Sequence, residues 1–143
     1  MLVKIVILNW NGAEHLRRFL PSVVTAAPDG MEIIVADNGS TDDSVAVLNA
    51  DFPSVRVIRL DANYGFAEGY NRALAQLKAD CIVLLNSDVE TPAGWLEPLI
   101  AALENDPGVA AVAPKLRALT APAKFEYAGA AGGYIDYLGY PFC

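Results

Sequence analysis

The amino-acid sequence predicts an α/β fold with a mainly parallel sheet and helices on both of its faces. Short apolar runs typical of buried strands alternate along the chain with longer segments that repeat apolar residues at helical spacing. Short polar residues follow most of these apolar runs. With 143 residues, of which 54% are hydrophobic, the chain is long enough for one buried core and too apolar for a disordered protein.

Five apolar runs are predicted to form the strands of this sheet. The fourth is apolar throughout, which predicts a central strand covered on both faces. Because parallel sheets bind ligands at the carboxyl ends of their strands, the residues after each run are candidate site residues. The predicted strands are Val3 to Leu8, Glu32 to Ala36, Val55 to Leu60, Cys81 to Leu85 and Val109 to Ala113.

Four segments between these strands are predicted to be helical. Pro21 lies inside the first and is expected to kink or shorten it. Ser40, with Asp43 three residues later, resembles a capping box for the second helix, and Thr91-Pro92 is predicted to open the fourth. The predicted helices run from Ala13 to about Thr25, from Asp42 to Asn49, from Phe66 to Leu77, and from about Ala93 to Glu104.

Charge and cysteine content exclude several classes of protein. The net charge of −7 argues against a nucleic-acid-binding surface. Cys81 and Cys143 form neither a disulfide framework nor a zinc spacing, which is compatible with a reducing cytoplasm. No apolar run approaches the roughly 18 residues of a membrane span, and the first residues do not resemble a signal peptide. The sequence therefore predicts a soluble cytoplasmic protein, with a peripheral place at the inner membrane face left open.

Polar side chains gather after four of the predicted strands. Such residues are also good turn formers and helix caps, which is the alternative explanation at any single position. Four such groups on one edge of a sheet, with few basic residues to pair them, predict a ligand-binding edge. The residues are Asn9, Trp10 and Asn11 after the first strand, Asp37, Asn38 and Ser40 after the second, Asp61 and Asn63 after the third, and Asn86, Asp88 and Glu90 after the fourth.

The stretch LLNSDVE predicts a metal site. Asn86, Asp88 and Glu90 fall at alternate positions and would share a face in an extended chain. Two neighbouring carboxylates repel unless a cation joins them, and Mg²⁺ is typically held by one or two carboxylates together with phosphates and water. We therefore expect a divalent ion, Mg²⁺ or Mn²⁺, on Asp88, with Glu90 as a lesser candidate ligand. Alternatively, Asp88 caps the turn and Glu90 is solvated.

Four stretches together resemble glycosyltransferase family 2, whose members are nucleotide-sugar-dependent enzymes of the Rossmann-like GT-A fold. They are VILNWNG, IIVADNGSTDDS, NYGFAEGYNRAL and LLNSDVE, in the family's order and at family-like spacing from Val3 to about Pro114. The NxD form of the fourth stretch resembles the rhamnosyltransferase-like subgroup. The resemblance implies a nucleotide-sugar donor-binding domain over residues 1–118, the start of an acceptor-side region over residues 119–143, and a role in cell-surface polysaccharide biosynthesis.

The resemblance also implies roles for individual residues. Asn9 and Asn11 would lie beside the donor nucleotide, and Asp37 would hydrogen-bond its base. Asn86 takes the place of the first aspartate of the motif called DxD, and Asp88 would bind the metal. The implied donor is a UDP- or dTDP-linked sugar, and the implied acceptor is a saccharide or a lipid-linked molecule. The residues that match the N-x-G-x5-N pattern of the nucleotide pocket are Asn63, Gly65 and Asn71.

The implied reaction is an inverting sugar transfer, which needs a general base on the acceptor hydroxyl. In this family the base is often the aspartate of a Glu-Asp pair well after the DxD motif, and no Glu-Asp dipeptide occurs in the 143 residues. No catalytic base is therefore assigned, and the chain is expected to be the donor-binding half, truncated or a fragment. The alternative is a non-catalytic nucleotide-binding or interaction domain.

Other proteins with this alternation fit the sequence less well. A dinucleotide dehydrogenase needs a G-x-G-x-x-G turn, which Asn9-Trp10-Asn11-Gly12 does not supply. A response-regulator receiver needs paired acids where this chain has asparagines. The tyrosine- and glycine-rich tail from Phe125 to Phe142 is expected to form strands with aromatics in a core, although in an incomplete region some would be exposed and would drive self-association.

Overall fold

The computed structural model describes residues 1–127, 129–138 and 140–142, so Cys143 lies outside the described residues. The chain divides after Ala93 into two compact units. This division falls earlier than residue 118, where the sequence predicts the donor part to end, and that functional boundary stays a prediction. Each unit is described by itself below.

The first unit contains a sheet of four parallel strands, which confirms the predicted α/β class. The strand order is β3-β2-β1-β4. Asn9 pairs with Asp37 and Leu8 pairs with Asn86, so the carboxyl ends of β1, β2 and β4 lie together at one edge of the sheet. The strands are β1 (Val3–Asn9), β2 (Glu32–Asp37), β3 (Arg56–Arg59) and β4 (Cys81–Asn86).

Helices cover both faces of this sheet. On one face Val6, Ile34 and Ile58 form a buried cluster with Tyr70. The alternate strand residues, such as Ile5 and Val35, point to the other face and are also buried. That face needs an apolar cover, which the first helix can supply. The apolar stripe of this helix buries Leu16, Phe19, Leu20 and Val23. The helices are α1 (Ala13–Ala26), α2 (Ser44–Asp51) and α3 (Gly65–Leu74).

The position of β4 differs from the prediction. β4 forms one end of the four-stranded sheet, and β1 and β2 are its central strands. Leu84 is 54% exposed, so the predicted cover on both faces of β4 is wrong for this structure. An apolar run shows that a strand prefers burial, but it does not show which neighbour supplies that burial.

Pro21 does not shorten α1, which continues to Ala26. The proline lies on an exposed part of the helix, where water can satisfy the carbonyl that its missing N–H leaves free. The expected shortening is therefore wrong, and the alternative of a kink at Pro21 stays a prediction.

The described residues of the second unit form one helix and four short strands. The run from Val109 to Ala113, predicted as a strand, has no regular secondary structure. The helix begins at Glu97 with Pro98 in its first turn, so the predicted opening at Thr91-Pro92 is also wrong. Gly94 has a φ of +73°, which interrupts helical geometry before that point. The elements are α4 (Glu97–Asn105), β5 (Arg117–Ala118), β6 (Ala121–Phe125), β7 (Tyr134–Ile135) and β8 (Pro141–Phe142).

The tail from Phe125 to Phe142 forms one antiparallel pair of the expected strands, β7 with β8, and the pair of β5 with β6 lies largely before it. The aromatic side chains from Phe125 to Tyr140 are exposed, with Tyr137 at 94% and Phe125 at 53%. The expectation that these aromatics form a core is therefore wrong for this structure, and the surface they present agrees with the alternative of exposed rings. Within the described ranges, no helix has the length and hydropathy needed to cross a membrane.

Candidate functional site

Asn9 and Asp37 form the buried centre of the carboxyl edge of the sheet. Each side chain is 1% exposed. Asn9 Nδ2 donates to Asp37 Oδ1 and to Ser40 Oγ, both at 3.2 Å, and the Ser40 N–H donates to Asp37 Oδ2 at 3.2 Å. Both carboxylate oxygens of Asp37 therefore have partners within the protein, which fix the orientation of the carboxylate.

Asn11 joins the loop after β1 to the loop after β2. Its φ of +50° turns the chain so that Asn11 Oδ1 accepts the Thr41 N–H at 2.8 Å and the Asp42 N–H at 3.3 Å. The Asn11 N–H donates to Ser40 Oγ at 2.9 Å. Ser40 is thus occupied by Asn9 and Asn11, and Asp43, which directly precedes α2, makes no side-chain cap hydrogen bond, so the predicted capping box is wrong.

Asp42 instead caps α1 from the neighbouring loop. Its Oδ2 accepts the Ala13 N–H at 3.0 Å, and its Oδ1 accepts the Ser44 N–H at 3.0 Å. Partial burial alone would raise the pKa of the Asp42 carboxyl, but hydrogen bonds from Ser44 and Ala13 outweigh it and hold the pKa below its ordinary value. A carboxylate at this helix start is also favoured by the helix dipole.

Asn38 joins the loop after β2 to the start of α3. It is 2% exposed, and its Nδ2 donates to Asn63 Oδ1 at 2.9 Å and to the Gly65 carbonyl at 3.0 Å. Its Oδ1 accepts the Tyr64 N–H at 3.0 Å. Asn38 was identified from sequence only as one of the polar residues at the edge, because its partners lie in a loop about 25 residues away, at a separation that sequence patterns do not specify.

The N-x-G-x5-N residues occupy two different settings. Asn63 Oδ1 also accepts the Gly65 N–H at 2.8 Å, and Gly65, with a φ of +73°, begins α3. These two residues belong to the hydrogen-bonded loop around Asn38. Asn71 is an exposed residue further along α3.

The residues after β4 are exposed. β4 ends at Asn86, and Ser87 and Asp88 form a turn, so strand alternation does not place Asn86, Asp88 and Glu90 on one face. All three side chains are exposed, and neither Asp88 nor Glu90 makes an ion pair with another residue in the described part of the chain. Asp88 and Glu90 are therefore two accessible carboxylates without a basic partner, and they lie just after β4.

The possible metal ligands near Asp88 fit an ion that the protein coordinates only in part. Among the described residues, no group of three or more His, Cys, Asp or Glu side chains could hold a metal. A closed, all-protein metal site is thus not present in that part of the chain. Asp88 and Glu90 match the other arrangement, in which Mg²⁺ takes one or two carboxylates and completes its shell with phosphate oxygens and water.

Tyr70 is a residue of this edge that the sequence prediction missed. It projects from α3 and is 4% exposed. Its hydroxyl accepts the Leu8 N–H at 3.4 Å and donates to the Leu85 carbonyl at 3.1 Å, which joins the last residues of β1 to those of β4. Burial raises the pKa of the Tyr70 hydroxyl. The only signal in the sequence was a tyrosine on the buried side of a predicted helix, a position that usually indicates core packing.

A parallel sheet with polar side chains gathered along its carboxyl edge is the architecture of a ligand-binding α/β domain. The family model described as "Glycosyl transferase family 2" matches residues 4–126. The chain therefore belongs to glycosyl transferase family 2, as the sequence motifs predicted.

Two proteins similar to this chain are named as sugar transferases. The N-acetylglucosaminyl-diphospho-decaprenol L-rhamnosyltransferase of Mycobacterium tuberculosis is 29% identical over 127 residues, covering 81% of this chain and 41% of the relative. The pre-mycofactocin glycosyltransferase of the same species is 35% identical over 121 residues, covering 82% of this chain and 24% of the relative. The chain thus spans less than half of each of these relatives.

Solved structures share the fold. The mannosyltransferase PcManGT from Pyrobaculum calidifontis, in complex with GDP-Man and Mn²⁺, has a TM-score of 0.70 at 24% identity over 80% of this chain and 35% of that chain. TarS 1-349 of S. aureus, in complex with UDP-GlcNAc, has a TM-score of 0.64 at 21% identity over 73% of this chain and 32% of that chain. These similarities establish the GT-A fold.

Proposed function

We propose that this chain is the donor-binding part of an inverting, metal-assisted glycosyltransferase that uses a nucleotide-diphosphate sugar. The carboxyl edge of the sheet carries this proposal. There a rigid, hydrogen-bonded group around Asn9 and Asp37 lies beside the strand that leads to the accessible carboxylates of Asp88 and Glu90. One end of such a site suits a nucleoside, and the other suits a diphosphate with its cation.

The nucleoside is proposed to bind at the loops after β1, β2 and β3. The Asn38 hydrogen bonds to Asn63, Tyr64 and Gly65 hold these loops together, so the pocket is largely formed before the ligand arrives. Asn9, Asn11, Asp37, Asn63, Gly65 and Asn71 remain the proposed donor-binding residues of this part. The oxygens of Asp37 already accept two hydrogen bonds, which fix the carboxylate in place. An N–H of the nucleobase would donate to one of the remaining lone pairs.

The diphosphate is proposed to bind near Asn86 and Asp88. Asp88, with Glu90 as a lesser candidate, would hold a Mg²⁺ or Mn²⁺ ion, and Asn86 would contribute neutral amide groups. When bound, such an ion supplies positive charge that stabilises the departing diphosphate. PcManGT binds Mn²⁺ with its nucleotide sugar, which supports this reading for a related fold.

The acceptor is proposed to be a saccharide or a lipid-linked hydroxyl compound, as the name of the rhamnosyltransferase relative suggests. The acceptor oxygen would attack the anomeric carbon as the nucleoside diphosphate leaves from the opposite side, which inverts the configuration at that carbon. None of the residues identified at this edge is assigned as the base that removes the acceptor proton. A cytoplasmic site, peripheral to the inner membrane, and a role in cell-surface polysaccharide synthesis belong to the same proposal.

Calorimetric titration tests the proposal on the full 143-residue chain. UDP and dTDP are titrated with and without Mn²⁺. We expect at least one nucleotide to bind more tightly with Mn²⁺, and Asp88→Asn to weaken the Mn²⁺-dependent binding at least about tenfold, because it removes a charge at the ion. Asp51→Asn serves as the matched control, since Asp51 is an exposed aspartate at the end of α2.

Two results would overturn the proposal. One is a folded wild-type chain, checked by a cooperative thermal transition, that binds neither nucleotide. The other is nucleotide binding that neither Mn²⁺ nor Asp88→Asn changes. The first outcome would favour a non-catalytic interaction domain.

A further inference from the structure

The candidate site has two halves. The nucleoside half consists of the loops after β1, β2 and β3, and the diphosphate half is the segment from Asn86 to Glu90. Side-chain hydrogen bonds stabilise the first half far more than the second. Between the loops after β1, β2 and β3, side-chain hydrogen bonds are numerous and involve Asn9, Asn11, Asn38 and Asp42. At the end of β4, the segment from Asn86 to Glu90 makes no side-chain hydrogen bond within the described residues. Its position therefore depends on the pairing of β4 with β1, on the Thr91 N–H, which donates to Ser22 Oγ at 3.1 Å just after the segment, and on the contacts at the end of β4.

β4 is paired with β1 as far as Asn86, which lies opposite Leu8, and Tyr70 adds a side-chain link at this end. Its hydroxyl accepts from the Leu8 N–H and donates to the Leu85 carbonyl. Leu8 directly precedes Asn9, and Leu85 directly precedes Asn86. One buried hydroxyl thus links the backbone beside the nucleoside half to the backbone beside the diphosphate half.

The ring of Tyr70 is itself held firmly. It packs in the buried cluster with Val6, Ile34 and Ile58, and Phe66 meets it edge-on with 5.0 Å between ring centroids. The preceding residue, Gly69, brings α3 close to the sheet, because a Cβ there would lie 3.0 Å from Asn38 Nδ2 and 3.1 Å from Leu8 Cδ1. Helix α3 therefore contacts the nucleoside loops through Asn38 and the end of β4 through Tyr70.

We propose that Tyr70 is a positioning residue that sets the separation between Asn9 and the Asn86-Ser87-Asp88 segment, and so couples the nucleoside half of the site to the diphosphate half. This inference rests on the proposed function. It assigns Tyr70 no contact with the donor. The hydroxyl acts by keeping the backbone of β4 where Asp88 can serve a diphosphate whose nucleoside lies against β1 and β2.

Tyr70→Phe tests the inference, because it removes the hydroxyl and keeps the ring. Binding is measured for uridine without metal, which reports on the nucleoside half, and for UDP with Mn²⁺, which engages both halves; thymidine and dTDP replace them if the wild type prefers dTDP. We expect UDP–Mn²⁺ affinity to fall about tenfold, as for a lost buried hydrogen-bond pair, with uridine affinity within about twofold of wild type. Tyr137→Phe is the matched control, since the Tyr137 side chain is 94% exposed.

The outcomes separate this inference from the proposed function. If wild-type protein binds UDP with Mn²⁺ but Tyr70→Phe weakens uridine and UDP equally, or weakens neither, Tyr70 does not couple the halves and the proposed function stands. If wild-type protein binds no nucleotide, both proposals fail.

Should Tyr70→Phe not fold, hydrogen exchange on the wild type gives a second test. UDP with Mn²⁺ is expected to slow exchange of the Leu8 N–H several-fold more than uridine does, because engaging Asp88 steadies the bridge. Equal protection of Leu8 by both ligands would overturn the inference.

Discussion

Gly39 shows how tightly the loops of the nucleoside half approach each other. A Cβ at this position would lie 2.6 Å from the Ala62 carbonyl carbon and 2.9 Å from the Asn63 nitrogen, and the φ of Gly39 is +73°. The backbone after β2 therefore passes directly against the backbone after β3. Only a residue without a side chain allows the Asn38 hydrogen bonds to form across this contact.

Gly39→Ala should consequently lower the free energy of unfolding by more than the unfavourable backbone conformation of alanine alone would. Gly30 is a matched control, because its φ is +78° and a Cβ there has no neighbour within 4 Å. We expect Gly30→Ala to cost about 1–2 kcal/mol from the left-handed conformation, and Gly39→Ala to cost about 1–3 kcal/mol more from the clash. Urea unfolding measures both, and equal losses would contradict the close approach.

The site residues that sequence motifs identify are those with local signals. Asn9 and Asp37 end predictable strands, Asn63 lies in the loop after the third strand, and Gly65 has the positive φ that its turn requires. Tyr70 gives no such signal, because its polar partners are backbone groups 62 and 15 residues away. The role of that hydroxyl depends on how α3 packs on the sheet, which no local pattern specifies.

At the scale of elements, charged side chains tie the strands together away from the proposed site. Glu32 on β2 forms ion pairs with Lys4 on β1 and with Arg56 on β3, the latter at 3.2 Å. The hydrogen bond from Lys4 is the largest cause that holds the pKa of Glu32 below its ordinary value of 4.5. Burial opposes it, and the hydrogen bond from Arg56 adds a smaller lowering.

This pairing predicts a pH dependence of stability. A carboxyl whose pKa is lower in the folded state stabilises the fold above its unfolded pKa, and the contribution is lost as the pH falls through the folded pKa. The stability advantage of wild type over Glu32→Gln should therefore be present near neutral pH and disappear below about pH 4, with a size under about 1 kcal/mol because the pairs are partly exposed.

Urea unfolding between about pH 3 and pH 7 measures this difference. Glu104→Gln is the control, since Glu104 is exposed and forms no ion pair within the described ranges. A stability advantage of wild type over Glu32→Gln that grows as the pH falls would contradict the stabilising role of this ion pairing.

Strand existence could be predicted from the sequence, whereas strand neighbours could not. The runs that became β1 to β4 are apolar and bounded by turn residues, and the structure contains all four within a residue or two. The run from Val109 to Ala113 is also apolar, but three of its five residues are alanine, and it forms no strand. Local composition gives a preference, and pairing with a neighbour decides whether it is realised.

At the scale of the whole molecule, exposed apolar surface in the second unit is the main departure from an ordinary monomer. Leu138 is 64% exposed, Tyr137 is 94% exposed and Tyr140 is 68% exposed. Large exposed apolar side chains favour association between molecules when they form a patch. The sequence predicted self-association through this tail, and it stays a prediction.

Sedimentation velocity over a concentration series tests it. We expect the wild-type chain to show reversible association, and Tyr137→Ser combined with Leu138→Ser to weaken it about tenfold, since two large apolar side chains are removed from the contact. Leu2→Ser is the control, because Leu2 is 54% exposed in the first unit. Association that persists unchanged in the double variant would place the contact elsewhere.

The side chain of Asn9 leaves one oxygen, Oδ1, buried without a hydrogen-bond partner within the described part of the chain. That oxygen faces Gly12, where a Cβ would lie only 2.4 Å away. Positions 9 and 12 are therefore mutually dependent. The loss of stability caused by a side chain at position 12 depends on which residue occupies position 9. Substitutions at the two positions should be strongly non-additive, with a smaller residue at 9 relieving an alanine at 12. A library that varies either position alone would miss sequences that the fold accepts when both change together.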